Sequence, residues 1–77
     1  MELTLSFPIL SKSPIVGMTL EEVEKRYDIR IVHKYRMDTG KSIEEAQTFD
    51  RKAQINPGDY IKAVGEWKKV SSFGLNV

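Results

Sequence analysis

The sequence predicts an α+β domain: a small mixed β-sheet in β-α-β-β-β order, with one capped helix and a short C-terminal helix. Three observations carry that class. Leu3, Leu5 and Phe7 alternate with Glu2, Thr4 and Ser6, a period of two that sets one face of a strand on a core. Leu20, Val23 and Tyr27 recur at helical spacing behind Thr19-Leu20-Glu21-Glu22, whose T-x-x-E spacing is that of a capping box. Asn56-Pro57-Gly58-Asp59 places Pro at i+1 and Gly at i+2, as a type II turn requires, so a strand should follow it.

The elements follow in order. The first strand stops at Pro8 and the Ser11 to Pro14 stretch, because proline supplies no amide for a ladder. Gly17 provides an unusual backbone dihedral before the helix, and Thr19 caps that helix, which runs to about Tyr27. On its outer side Glu21 with Lys25 and Glu22 with Arg26 stand at i, i+4. A second strand, about Ile29 to Arg36, has Ile29, Ile31, His33 and Tyr35 on the expected core face and Arg30, Val32, Lys34 and Arg36 on the other. Strand, helix and strand most simply give a right-handed βαβ unit with parallel strands. Met37 to Lys41 reads as a turn. Ser42 to Phe49 reads as one or two helical turns, with Ile43, Ala46 and Phe49 at three-residue steps. Arg51 to Ile55 reads as a short strand and Tyr60 to Val64 as the last, closed by Gly65. Glu66 to Ser72 is the terminal helix, anchored by Trp67, Val70 and Phe73, and Gly74 to Val77 are expected to fray.

Composition narrows the function. At 77 residues the chain is one domain, 1–77, near the size at which a single core only just outweighs chain entropy, so self-association is the expected support. There is no cysteine and one histidine, which removes disulfides, thiolate metal sites and a zinc constellation. The 12 basic and 11 acidic residues nearly cancel, which argues against a general nucleic-acid binder. No apolar run approaches the roughly 20 residues that span a bilayer, and Glu2 stands where a signal peptide would be basic, so a cytoplasmic location is expected.

Chemistry-bearing motifs are few. Gly40-Lys41-Ser42 ends like a phosphate-binding loop, but Tyr35 holds the position of the required earlier glycine. His33 reads as a hydrogen-bonded, partly buried histidine, and Glu44, Glu45 and Asp50 as solvent-facing carboxylates. No catalytic set emerges, and the chain is expected not to be an enzyme. Arg26, Arg30, Lys34 and Arg36 suggest a basic strip, and with Tyr35 as a stacking platform they define the alternative reading, a small nucleic-acid-binding module. Trp67 and Tyr60 are candidates for capping the core or for a dimer contact.

Ser13-Pro14-Ile15-Val16-Gly17-Met18-Thr19-Leu20-Glu21-Glu22-Val23, then Tyr27-Asp28-Ile29-Arg30-Ile31-Val32, then Pro57-Gly58-Asp59-Tyr60-Ile61-Lys62-Ala63-Val64-Gly65 resemble, in order, the helix lead-in, the helix-to-strand junction and the Gly-Asp turn of one family. It is the RCK C-terminal or TrkA-C domain, the regulatory lobe of proteins that gate potassium channels and transporters. The resemblance implies a small α+β sheet domain, a homodimer of such lobes, and control of cation transport, above all potassium, by a membrane-embedded partner through ligand-dependent rearrangement. It also implies a groove for a small regulatory ligand such as a cyclic dinucleotide, where Met18, Arg26 and Arg30 lie. Gly17, Thr19, Glu22, Gly58 and Asp59 are assigned to turns and caps. The chain lacks a G-x-G-x-x-G loop, so the nucleotide-binding lobe that precedes this domain in many members is absent from it. It also lacks a proline midway between the second strand and the Gly-Asp turn, and His33 interrupts a strand that is usually more apolar.

Overall fold

The computed structural model describes residues 1–38, 41–44 and 50–77, with the side chains of 36–38 and 41–44 outside the description. Its elements are β1 (Glu2–Pro8), α1 (Leu20–Tyr27), β2 (Arg30–Asp38), β3 (Lys41–Glu44), β4 (Asp59–Glu66) and α2 (Trp67–Asn76). The α+β class, the capped helix and the terminal helix are all present. The sheet departs from the mixed one expected. Its order is β1-β4-β2-β3, and each neighbouring pair is antiparallel. The strands flanking α1 do share a direction, but β4 lies between them, so the βαβ unit is split.

Local signals account for α1. Thr19 has extended backbone and its hydroxyl accepts from Glu22 N at 3.1 Å, while Thr19 N donates to Glu22 Oε1 at 2.9 Å. The Thr19 amide and then its hydroxyl hold the Glu22 carboxyl below its ordinary value of 4.5. Asp28 ends the helix at φ 53, and its carboxylate pairs with Lys69 of α2. Gly17 at φ 88 and Gly58 at φ 91 take backbone conformations that side chains disfavour, as the turn readings required. At the second turn Asp59 N donates to Asn56 O and Asp59 Oδ2 accepts from Asn56 N, at 3.1 and 2.8 Å.

The core gathers Ile9, Ile15, Leu20, Val23, Ile29, Ile31, Ile55, Ile61, Ala63, Val70 and Phe73. Phe73 is its largest fully buried side chain: Phe7 and Tyr27 meet it edge-on at centroid distances of 5.2 and 5.1 Å. Val70 and Phe73 anchor α2, whereas Trp67 opens the helix at the surface, with Lys68 Nζ over its ring at 5.6 Å. The fraying expected after Gly74 does not occur. The helix continues to Asn76, and Gly74 admits Phe7 so closely that a Cβ there would lie 2.6 Å from Phe7 Cε1.

Other boundaries move as well. Met37 and Asp38 extend β2, where a turn was expected, and 39–40 lie outside the described residues. Lys41–Glu44 is strand paired to β2, where the three-residue periodicity suggested helix, and 45–49 lie outside the described residues. Arg51 to Ile55 forms no strand; it makes a single bridge, Thr19 to Gln54. That segment instead supplies carbonyls to the start of α1: Leu20 N donates to Ala53 O at 3.1 Å and Glu21 N to Arg51 O at 2.9 Å. The alternation expected for β2 breaks at Val32. Ile31 stands opposite Ala63 and His33 opposite Lys62, so Val32 is an extra residue, a bulge that exchanges the two faces beyond it.

Phe73→Ala should cost about 3–5 kcal/mol, the range for deleting a buried aromatic; chemical denaturation measures it, and a loss below about 1 kcal/mol would show that the ring's burial does not hold the core together. Glu22 predicts a pH window. Because its folded-state value is lowered, its contribution is complete above about 4.5 and disappears as pH falls through the lower folded value. The difference in melting temperature between the wild type and Glu22→Gln should therefore be constant above that pH and shrink in acid.

Candidate functional site

The residues that the resemblance assigned to a ligand groove separate into two places. Met18 and Arg26 do come together. With Glu22 and Lys25 they line an open depression of about 370 Å³ along the outer side of α1. Met18 precedes the cap, and Glu22, Lys25 and Arg26 follow at helical spacing, so the four share one stripe. Arg30 lies elsewhere. It lines a second depression, of about 300 Å³, with Glu2, Asp28, Ile29, Val64 and Gly65 at the end of the sheet where β1, β4 and β2 meet.

The chemistry of the first depression comes from side chains. Helix starts commonly attract anions through free amides, but here Leu20 and Glu21 donate to the 51–55 segment, Glu22 to Thr19 Oγ1 and Val23 to Thr19 O. An anion on this face would meet Arg26 and Lys25 instead. Lys25 Nζ lies 3.7 Å from Glu21 Oε1, a surface pair that water screens and that yields readily to a stronger partner. Met18 adds an apolar, polarizable wall beside the cations. Glu22 Oε1 is engaged by the Thr19 amide. Glu22 and Lys25 complete the lining, and their spacing from Met18 is the sequence signal for it.

The Val32 bulge divides the expected basic strip. Arg30 faces outward in the row of Val64, whereas Lys34 falls opposite Ile61 on the core side and lies 3.7 Å from Asp59 Oδ2. Lys34 has a side chain 15% exposed and Asp59 one 0% exposed, so the pair is structural rather than available to a ligand. His33 and Tyr35, expected on the core face, stand outward in the rows of Lys62 and Tyr60, and Tyr35 stacks on Tyr60 at 5.3 Å. The side chain of Arg36 is outside the described residues. Gly17, Thr19, Glu22, Gly58 and Asp59 occupy the turn and cap positions described above.

A further polar cluster lies where α1, β2 and the 51–55 segment meet. Glu24 Oε2 accepts from Ile31 N at 2.8 Å and lies 3.1 Å from Arg51 Nη1, which also donates to Ile31 O at 2.8 Å. No signal in the sequence pairs these residues, because Arg51 lies far along the chain from both. Among the described residues, no helix is long and apolar enough to cross a membrane.

Comparison with known proteins adds a likeness of fold. No family pattern and no curated protein matches the sequence. Among solved structures, the chain is similar to the RCK_C domain dimer of S. agalactiae BusR in complex with c-di-AMP, with a TM-score of 0.67 and 20% identity over 95% of this chain and 86% of that one. It is equally similar to S. agalactiae BusR in complex with its busAB-promotor DNA, again at TM-score 0.67 and 20% identity over 95% of this chain. It spans about a third of that longer protein, 34% of its length. The split, all-antiparallel sheet with α1 and α2 about one core is therefore an RCK_C-type fold.

Proposed function

We propose that the chain is a non-enzymatic regulatory domain that works as a homodimer and responds to a small anionic ligand, with a cyclic dinucleotide such as c-di-AMP as the first candidate. The observation that carries this reading is the Met18, Glu22, Lys25 and Arg26 depression on a fold similar to a domain dimer solved with c-di-AMP. Arg26 supplies a planar fork suited to phosphate oxygens and Met18 an apolar surface suited to a base. The depression is open, so one copy buries little of a ligand. A second copy across it would complete the enclosure that tight binding needs.

The mechanism is a shift of population between two arrangements of the pair. A ligand that binds one arrangement better favours it, and the ratio of the two affinities limits the response. The output we propose is control of cation transport, in first place potassium, by a membrane channel or transporter subunit. The BusR complex with promoter DNA supports a second output, regulation of a promoter through a longer protein that contains such a domain. Direct nucleic-acid binding through Arg26, Arg30, Lys34 and Arg36 is not proposed, because the bulge places Lys34 on the core side.

Isothermal titration with c-di-AMP, combined with sedimentation at several protein concentrations, tests the site and the pairing separately. Arg26→Ala should weaken binding by about 1.5–3 kcal/mol, on the order of tenfold to a hundredfold, while leaving the fold intact. A strict monomer at high concentration, with and without ligand, would remove the homodimer. Binding that ignores the Arg26 substitution would remove the site.

A further inference from the structure

We propose that Glu24 and Arg51 form a clasp that pins the Val32 bulge and so selects one of two registers available to the β2–β3 arm against β4. This inference stands apart from the ligand reading, since it concerns only the chain's own contacts. β2 carries two incompatible instructions. Strand geometry with a period of two would set Ile29, Ile31, His33 and Tyr35 on one face and Arg30, Val32, Lys34 and Arg36 on the other. The fold obeys that alternation only to Ile31 and then reverses it.

The unbulged register is easily written down. With Ile31 kept opposite Ala63, Val32 would face Lys62, His33 would face Ile61, Lys34 would face Tyr60 and Tyr35 would face Asp59. His33 and Tyr35 would turn to the core side and Lys34 to the outer side, because a shift of one residue exchanges the faces. β3 can follow as a body. Its described pairs, Tyr35 with Glu44 through Asp38 with Lys41, join it to β2 alone. The observed register gains the Lys34 to Asp59 ion pair and the Tyr35 to Tyr60 stack, and both are lost in the other.

The clasp sits where the registers diverge. Ile31 is the last residue before the bulge, and its amide and carbonyl are held by Glu24 Oε2 at 2.8 Å and Arg51 Nη1 at 2.8 Å. The two side chains are joined at 3.1 Å, so they act on the edge of β2 as a short stretch of partner strand would. Glu24 ties the amide of Ile31 to α1, and Arg51 ties its carbonyl to the segment whose own carbonyl accepts from Glu21 N. The arm therefore cannot straighten at Ile31 without pulling on both.

Two variants and their combination decide the matter by NMR. Arg51→Ala keeps the backbone carbonyl that Glu21 uses but removes the guanidinium. The Glu24 carboxylate that accepts from the Ile31 amide then loses the guanidinium that holds it, so exchange of that amide should speed by about tenfold, on the order of the net worth of one hydrogen bond. Arg51→Ala should also produce a second set of signals for 33–38 and 59–62, with Lys34 to Tyr60 contacts in place of Tyr35 to Tyr60. Deleting Val32 leaves Ile31 opposite Ala63 and His33 opposite Lys62 in an unbroken ladder, so in that background Arg51→Ala should give a single set with the Tyr35 to Tyr60 contact. A single native set in Arg51→Ala alone would overturn the proposal. The same second set, or unfolding, in both backgrounds would overturn it too. Unfolding of Arg51→Ala that is rescued by the deletion would support it.

Discussion

The fold depends on an exchange of main-chain hydrogen bonds between the start of α1 and the 51–55 segment. Gly17 N donates to Ile55 O and Ile55 N to Met18 O, both at 2.8 Å, and Leu20 and Glu21 donate to Ala53 and Arg51 carbonyls. A helix start has amides without internal partners, and beside a core water cannot satisfy them. Meeting them with a distant loop brings Ile55 into the same core as Ile15 and Leu20, all three at most 2% exposed. It also carries Arg51 to Glu24 and delivers the chain to the Asn56 turn, from which β4 sets out into the centre of the sheet. The same bonds close the helix start to anions, so the chemistry of the outer face of α1 rests on Lys25 and Arg26 rather than on a dipole.

The β2 bulge is the second organising feature. It turns Lys34 toward Asp59 on the core side, close to the turn that begins β4, and turns His33 and Tyr35 outward. A lysine at that depth is costly unless a carboxylate meets it, and Asp59, with Oδ2 already receiving the Asn56 amide, supplies the charge. The Gly-Asp turn thus sets the direction of β4 and neutralises the cation that the bulge brings inside. A turn residue has become a buried charge partner.

These constraints bear on function by distributing the cations. A basic strip along β2 would have suggested a surface for nucleic acid. The fold instead leaves Arg26 and Lys25 together on α1, Arg30 apart at the end of the sheet, and Lys34 within the structure. Lys25 and Arg26 thus form a local basic stripe, on a fold similar to that of a domain dimer solved with c-di-AMP.

The sequence by itself determined what a few neighbouring residues settle among themselves. The Thr19 to Glu22 capping box, the positive φ at Gly17 and Gly58 and the Asn56 to Asp59 turn all have partners within about a turn, so residue type and spacing suffice, and the three-residue step from Val70 to Phe73 marks the terminal helix. Met18 and Arg26 were grouped by the family resemblance, and the helical spacing from residue 18 to residue 26 is what sets them on one stripe. The tertiary structure alone decided the strand order, the placing of Arg30 away from Met18, the reversal at Val32 and the Glu24 to Arg51 clasp. Each of these depends on which distant segment satisfies a given backbone group. The period-two pattern of β2 shows the limit: it is a correct reading of local alternation, overruled where β4, α1 and Arg51 together hold Ile31 in a register that alternation does not encode.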